Sequence, residues 1–355
     1  MSVPKVLVVG SGGVGAIAAL SLHLNKKCEV TLVVRSDYEH VVNHGYEIDS
    51  VTYGKFMNWK PTHVSKNVHD AYRDHGEFDF IVVTTKNIPD GAITCEDIIR
   101  PAVTPKSTTI VLIQNGIDIE TPMHEQFPGN VVLSGVSLIG SSNINCKVNN
   151  SHKDQLTLGV FENPDDTSDE YIERSTEKLN QFYDLYQNAD ESINKVTIDK
   201  NVKRSRWEKL VYNSVLNTIT AIVNLDVNRC QIAVQNEDLF LPAMDEIIAI
   251  AASEGVVVDK SQKDKFIHIG DGLFYSPSMC IDQRKGQLME LEIILGNPIK
   301  IARKNNVPTP ILSVIYHLLH MVQFRIKEKN GLIKINQDDF KNMKSDDYPA
   351  HFAKK

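Results

Sequence analysis

Cysteine is scarce: the 355 residues hold five, Cys28, Cys95, Cys146, Cys230 and Cys280, far apart and with no CxxC pair. An odd, scattered set points away from a disulfide framework and a zinc site, and predicts no metal and a reducing compartment. Positive charge is also short, with 38 Lys and Arg against 45 Asp and Glu, a formal net charge of −7. That balance argues against broad nucleic-acid or anionic-membrane binding, so any anionic ligand must be held by local positive groups. There is no internal repeat and no low-complexity block. The proportions present, 42% hydrophobic and 23% charged, are those of an ordinary globular protein. At about one domain per 150 residues the length predicts two domains.

Long apolar runs are few. Val6 to Leu24 carries no charged residue, and its length alone would suit a membrane span or signal-peptide core. Gly10, Gly12, Gly13 and Gly15 interrupt it, only Lys5 precedes it as a basic flank, and no small-residue cleavage site follows. The expectation is a cytoplasmic protein without a membrane anchor.

What is present alternates. Val6–Val9, Glu29–Val34, Phe78–Thr84 and Thr108–Ile113 read as β-branched strands separated by helix-length segments such as Val14–Leu24. Continuous apolar strands of this kind predict a parallel sheet covered on both faces, a doubly wound α/β domain. Further strands are expected at Asn130–Leu133, Gln155–Phe161 and Ser192–Ile198, with a solvated acidic loop at Glu162–Glu170 and a helix at Tyr171–Tyr186. Near residue 200 the pattern turns helical, with stretches at Arg206–Val223, Leu239–Ser253, Ser278–Asn305 and Pro308–Lys327. The expected division is an α/β domain over 1–200, an all-helical domain over 201–330 and a polar tail over 331–355.

Gly10-Ser-Gly12-Gly13-Val14-Gly15 matches GxGxxG between a strand and a helix, the context in which that pattern binds a dinucleotide. The first glycine makes a tight turn, the second lets the backbone approach a pyrophosphate, and the third permits close helix packing. An acidic residue about 20 positions past the motif would accept the ribose hydroxyls of NAD. Here that place holds Arg35, which suits a 2′-phosphate and favours NADP(H); the alternative is a surface arginine paired with Asp37. Two later strand ends point at the same crevice and carry Lys86 and Asn115, each equally readable as an ordinary loop residue.

Lys209, Asn213 and Asn217 recur at i, i+4 and i+8 on an otherwise apolar helix. The three polar groups form one stripe, which either lines a cavity or is a solvated face. A second polar set comprises Ser278, Asp282 and Glu290; Ser278 either caps a helix or faces the cleft, and the two carboxylates either join it or sit on a surface.

With these residues in view the chain resembles the ketopantoate reductase (2-dehydropantoate 2-reductase) family over about residues 5 to 325. The features that carry the resemblance are the glycine motif with Arg35, Asn115-Gly116, the Lys-Leu-x-x-Asn-x-x-x-Asn helix, and Ser-Met-x-x-Asp followed by a glutamate eight residues after the aspartate. The resemblance implies a Rossmann domain joined to an all-helical domain of the 6-phosphogluconate dehydrogenase type, acting as a monomer or homodimer on a small 2-oxo acid with NADPH. It implies Lys209 as general acid with Glu290 as its partner, and Asn213, Asn217 and Ser278 at the substrate. Asn115 would lie beside nicotinamide and substrate, with Lys86 and Arg35 at the cofactor. Alternatives are a reductase of another branched 2-oxo acid or carbonyl compound, and an NADPH-binding redox sensor without turnover. The chain departs from the family pattern at Pro89, at Asn224-Leu-Asp-Val-Asn228, in the acidic loop and in the tail.

Overall fold

The computed structural model describes residues 3–233 and 236–353; the last two residues of the expected tail, and the first two of the chain, lie outside it. Among the described residues twelve strands form: β1 (Lys5–Val9), β2 (Glu29–Val33), β3 (Tyr46–Ser50), β4 (Gly54–Trp59), β5 (His63–Ser65), β6 (Phe80–Val83), β7 (Thr109–Leu112), β8 (Val132–Leu138), β9 (Ser141–Ile144), β10 (Lys147–Asn150), β11 (Asp154–Val160) and β12 (Asn194–Ile198). Eight of them make one sheet in the order β12-β11-β8-β7-β6-β1-β2-β5. Successive side chains of a strand face opposite ways, and here both sets are buried. Leu7, Val9, Ile81 and Val83 enter one core cluster, and Val6, Val8, Phe80 and Val82 the other.

The sheet is not parallel throughout, because β11 pairs antiparallel with β8. No helix crosses between these two strands; the hairpin of β9 and β10 connects them, and a connection without a crossover reverses the chain. That hairpin joins β3 and β4 in a second, four-stranded sheet of order β4-β3-β10-β9, which the sequence reading did not anticipate. Its strands are short and largely polar, with alternating burial such as Tyr46 in, Glu47 out, Ile48 in.

Helices α1 (Gly13–Leu24), α2 (Tyr38–His44), α3 (Val68–His75), α4 (Cys95–Ile99), α5 (Thr121–Gln126) and α6 (Asp169–Tyr186) belong to the sheet domain. After β12 the chain is helical: α7 (Val202–Tyr212), α8 (Thr218–Val223), α9 (Val227–Ala233), α10 (Phe240–Ser253), α11 (Ser261–Ile267), α12 (Ser278–Arg284), α13 (Asn297–Lys304) and α14 (Pro310–Lys329). Their apolar faces do not close on themselves alone. Trp207, Val215, Ile247, Ile293 and Leu319 share a continuous cluster with Leu7, Val83, Ile110 and Leu112 of the sheet. Helix 202–223 contains one π-helical turn at Asn213–Asn217. The helical stretch expected over 278–305 forms two pieces, with α12 ending at Arg284 and a second π turn, Glu292–Gly296, leading into α13. The tail forms short turns and a helix, α15 (Tyr348–Phe352), whose Phe352 lies 5.4 Å from Phe324 of α14. Among the described residues all five cysteines are buried and unpaired, and no helix is long and apolar enough to cross a membrane.

Candidate active site

The turn after β1 is tightly packed on one side and open on the other. Gly10 has φ of +113°, and a Cβ at Gly15 would stand 1.9 Å from the Gly10 carbonyl oxygen, so both positions admit only glycine. Gly12 differs: nothing lies within 4 Å of where its Cβ would be, and it precedes α1 without any side-chain cap. The first turn of α1 thus has N–H groups without a side-chain cap next to an open approach at Gly12, the kind of arrangement that receives a pyrophosphate. Gly13 has a cause that the motif did not reveal, since the backbone of Ser141 and Ser142 packs against it, and Asn143 Nδ2 donates to the Ser11 carbonyl at 2.7 Å.

The two glycines predict opposite phenotypes. Gly15→Ala forces Cβ into backbone, at a cost on the order of 3 kcal/mol, and should lower Tm by several degrees. Gly12→Ala should leave Tm within about 1 °C, while weakening dinucleotide affinity about tenfold or more as the methyl fills the cradle. Thermal unfolding and a cofactor titration of both variants check the pair.

Arg35, two residues past β2, is exposed, and no ion pair joins it to Asp37 among the described residues. Its guanidinium is thus available at the strand end where the adenosine ribose of a bound dinucleotide lies. Lys86, beyond β6, reaches the helical domain instead: its ammonium stands 2.6 Å from Asp282 Oδ1 and 3.2 Å from Gln287 Oε1. Asp282 is buried, and burial raises its pKa against the opposing pull of Lys86.

Asn115, past the end of β7, bridges the two groups assigned to proton chemistry. Lys209 Nζ donates to Asn115 Oδ1 at 2.8 Å, and Asn115 Nδ2 donates to Glu290 Oε2 at 3.1 Å. Lys209 Nζ also donates to the Ser137 carbonyl at 2.5 Å, while Glu290 Oε1 accepts the backbone N–H of Asn87 at 3.0 Å. No direct ion pair forms, so the amide carries the link. Burial of the ammonium, reinforced by the nearby Arg206 charge and opposed by Glu290, pulls the Lys209 pKa down to about 8. Burial likewise raises that of Glu290, against its two N–H donors.

The π turn puts Asn213 and Asn217 together, with Asn217 Nδ2 at 3.4 Å from Asn213 Oδ1. Both are buried, and π turns of this kind concentrate at functional sites. Asn217 also donates to Ser278 Oγ at 3.3 Å and accepts from the Met279 N–H at 2.8 Å. Ser278 is not the cap of α12, a place held by Pro277, and the residue is exposed.

Between Asn115, Lys209 and Asn213 the free space is about 10 Å³, room for roughly one water. A wider cavity of about 200 Å³ reaches Lys209 on its other flank, bounded by Val136, Thr157, Glu208 and Phe266, and is lined by none of the other candidate residues. Two participants had no motif to reveal them: Asn87, through its backbone N–H, and Ser137, through its carbonyl. Asn224, in the segment that departs from the family pattern, ends α8 in a left-handed conformation and accepts from Arg284 Nε at 2.6 Å.

Comparison with known proteins agrees with this architecture. The family description "Ketopantoate reductase PanE/ApbA" matches residues 6–163, and "Ketopantoate reductase PanE/ApbA C terminal" matches residues 201–323. The uncharacterized protein YDL144C of Saccharomyces cerevisiae is 45% identical over 94% of this chain and 97% of its own length. The crystal structure of 2-dehydropantoate 2-reductase from Methylococcus capsulatus is 28% identical, covers 91% of this chain and 97% of its own, and superposes with a TM-score of 0.73. A ternary structure of D-mandelate dehydrogenase with NADH and anilino(oxo)acetate, 18% identical, covers 91% and 99% with a TM-score of 0.74 and shares the fold.

Proposed function

The chain belongs to the ketopantoate reductase family, a family of nicotinamide-dependent oxidoreductases acting on CH–OH groups, and within it we propose that this chain reduces ketopantoate to pantoate with NADPH, using Lys209 as general acid. The observation that carries the reading is the half-buried chain Lys209–Asn115–Glu290 beside the Asn213–Asn217–Ser278 set.

The nicotinamide supplies hydride when bound, and the glycine turn, the open Gly12 cradle and Arg35 fit its dinucleotide. The protein residues handle the proton and the substrate. An ammonium has three N–H donors; Lys209 commits two, to Asn115 and Ser137. The third is free for the ketone oxygen. As alkoxide character develops there, that N–H first stabilises it and then protonates it, and a pKa near 8 suits this transfer at neutral pH. Glu290, held by two N–H donors, fixes the Asn115 amide so that its oxygen faces the lysine.

Ser278 Oγ accepts from Asn217, which leaves the hydroxyl hydrogen to donate to a substrate carboxylate. Substrate needs more than the present 10 Å³, so entry requires the domains to part where Lys86 meets Asp282 and Lys327 meets Asp90 at 2.6 Å. Initial rates with ketopantoate, other branched 2-oxo acids and aryl 2-oxo acids, each with NADPH and NADH, test the proposal. Ketopantoate with NADPH should give the highest kcat/KM. NADPH binding, seen as tryptophan quenching, without oxidation by any oxo acid would overturn it in favour of a sensor.

A further inference from the structure

Three residues before Lys209 on the same helix, Arg206 is buried together with Glu120, with side chains 2% and 0% exposed. Burying a charge pair is costly unless every remaining donor and acceptor is satisfied, and here they are. Arg206 Nε lies 2.5 Å from Glu120 Oε1 and 2.6 Å from Ser134 Oγ, and Ser134 in turn donates to Glu120 Oε1 at 2.7 Å. The other carboxylate oxygen, Oε2, accepts the Ile119 N–H at 3.2 Å. The remaining guanidinium N–H groups point at backbone carbonyls: Nη1 at those of Gln114 and Gly116, in the loop after β7, at 2.9 and 3.2 Å, and Nη2 at those of Leu112, the last residue of β7, and Gly135 of β8, both at 3.4 Å. Gln114 and Gly116 are the two neighbours of Asn115.

We propose that Arg206 is a positioning residue of the reaction: its guanidinium, neutralised by Glu120, clamps the peptides on either side of Asn115 and thereby sets the amide bridge between Lys209 and Glu290. The inference rests on the reading of Lys209 as the general acid. It explains why a helix whose next turn reaches into the active site carries a buried ion pair at all. The clamp ties α7, which bears the lysine, to the loop that bears the amide, so the two ends of the Lys209–Asn115 hydrogen bond are held by one rigid group. Lysine in place of arginine keeps the charge but loses the planar fork, and its three donors cannot reach four carbonyls and a hydroxyl. The same positive charge sits close enough to Lys209 to favour loss of its proton.

Two variants separate position from charge. Arg206→Lys should lower kcat about tenfold or more, with NADPH Kd and the basic limb of the pH–kcat profile unchanged. The double variant Arg206→Met with Glu120→Gln removes both charges without stranding either. It should lower kcat similarly and also move that limb up, because the lysine loses the nearby charge that favours loss of its proton. Parental kcat and limb in both variants would overturn the inference. A fall in kcat matched by the loss of folded protein, with the folded fraction fully active, would do the same. If the double variant fails to fold, Arg206→Lys with its unchanged limb remains decisive. Lys209→Met run alongside distinguishes the two failures: should it retain turnover, the general-acid reading itself falls, whereas a dead Lys209→Met beside fully active Arg206 variants removes only the clamp.

Discussion

Lys209→Met should lower kcat by about two to four decades while NADPH still binds within about threefold of the parent, because in the proposed mechanism the ammonium donates the proton and takes no part in holding the dinucleotide. The parent enzyme carries the matching pH signature. Lys209 works as an acid only while protonated, and its pKa lies near 8, so kcat falls as the pH rises through that value. The variant, lacking the titrating group, has a flat profile across the same range. Steady-state rates at saturating substrate from about pH 6 to pH 10 check both; an unaltered kcat, or a parent profile without a basic limb, removes the lysine as acid.

The same residue makes a stability prediction of opposite sign. A lysine whose folded pKa is depressed from 10.5 to about 8 binds its proton less tightly when folded than when unfolded. Between those two values the unfolded chain holds more protons, so the native state gains stability as the pH rises through the window. Below about pH 8 the full net cost of the shifted ammonium is present, on the order of 3 kcal/mol. Methionine fills the same volume without charge, so Lys209→Met should raise Tm by about 2–5 °C at pH 7. The gain should shrink as the pH approaches 10.5. A variant that is slower yet more stable marks a group retained for chemistry at the expense of the fold.

The sheet core and the glycine turn were legible because their signals are local. Four β-branched runs announce a two-faced sheet, and the glycine motif, strand and Arg35 lie within one βαβ stretch. The reversal at β11 was hidden because a strand pattern carries no direction; only the hairpin between β8 and β11 shows it. The second sheet was hidden because β9 and β10 are polar strands of four residues each. At the site, counting i, i+4, i+8 found Lys209, Asn213 and Asn217. That count predicts a plain α-helix and gives no sign of the π turn that holds the two asparagines side by side. It also selects one stripe only. Arg206, three residues before Lys209, shares that face of the helix but falls outside the i, i+4, i+8 count, and its importance is visible only where long-range packing brings Glu120, Ser134 and the carbonyls of Leu112, Gln114 and Gly116 around it. Asn87 and Ser137 contribute backbone atoms, for which no side-chain pattern exists.

Arg35→Asp should lower kcat/KM for NADPH by about two to three decades and leave that for NADH equal or higher. The reason is a difference of one group. The 2′-phosphate carries close to two negative charges, and a guanidinium meets it with two parallel charge-assisted hydrogen bonds that NADH has no means to use. Aspartate at this strand end replaces that attraction with repulsion, while presenting the oxygen acceptors that ribose hydroxyls take in NAD-dependent relatives of the fold. Because Arg35 is exposed and makes no ion pair with a described residue, its replacement should not move Tm, which separates a binding effect from a folding one. Added salt should narrow the NADPH preference of the parent, since an exposed charge contact is screened, and should leave the NADH rate of both proteins nearly unchanged. Rates with both cofactors at two ionic strengths measure all four quantities. Equal losses for NADPH and NADH would mean that Arg35 supports the turn rather than the phosphate, and cofactor choice would then have to be sought elsewhere along the crevice.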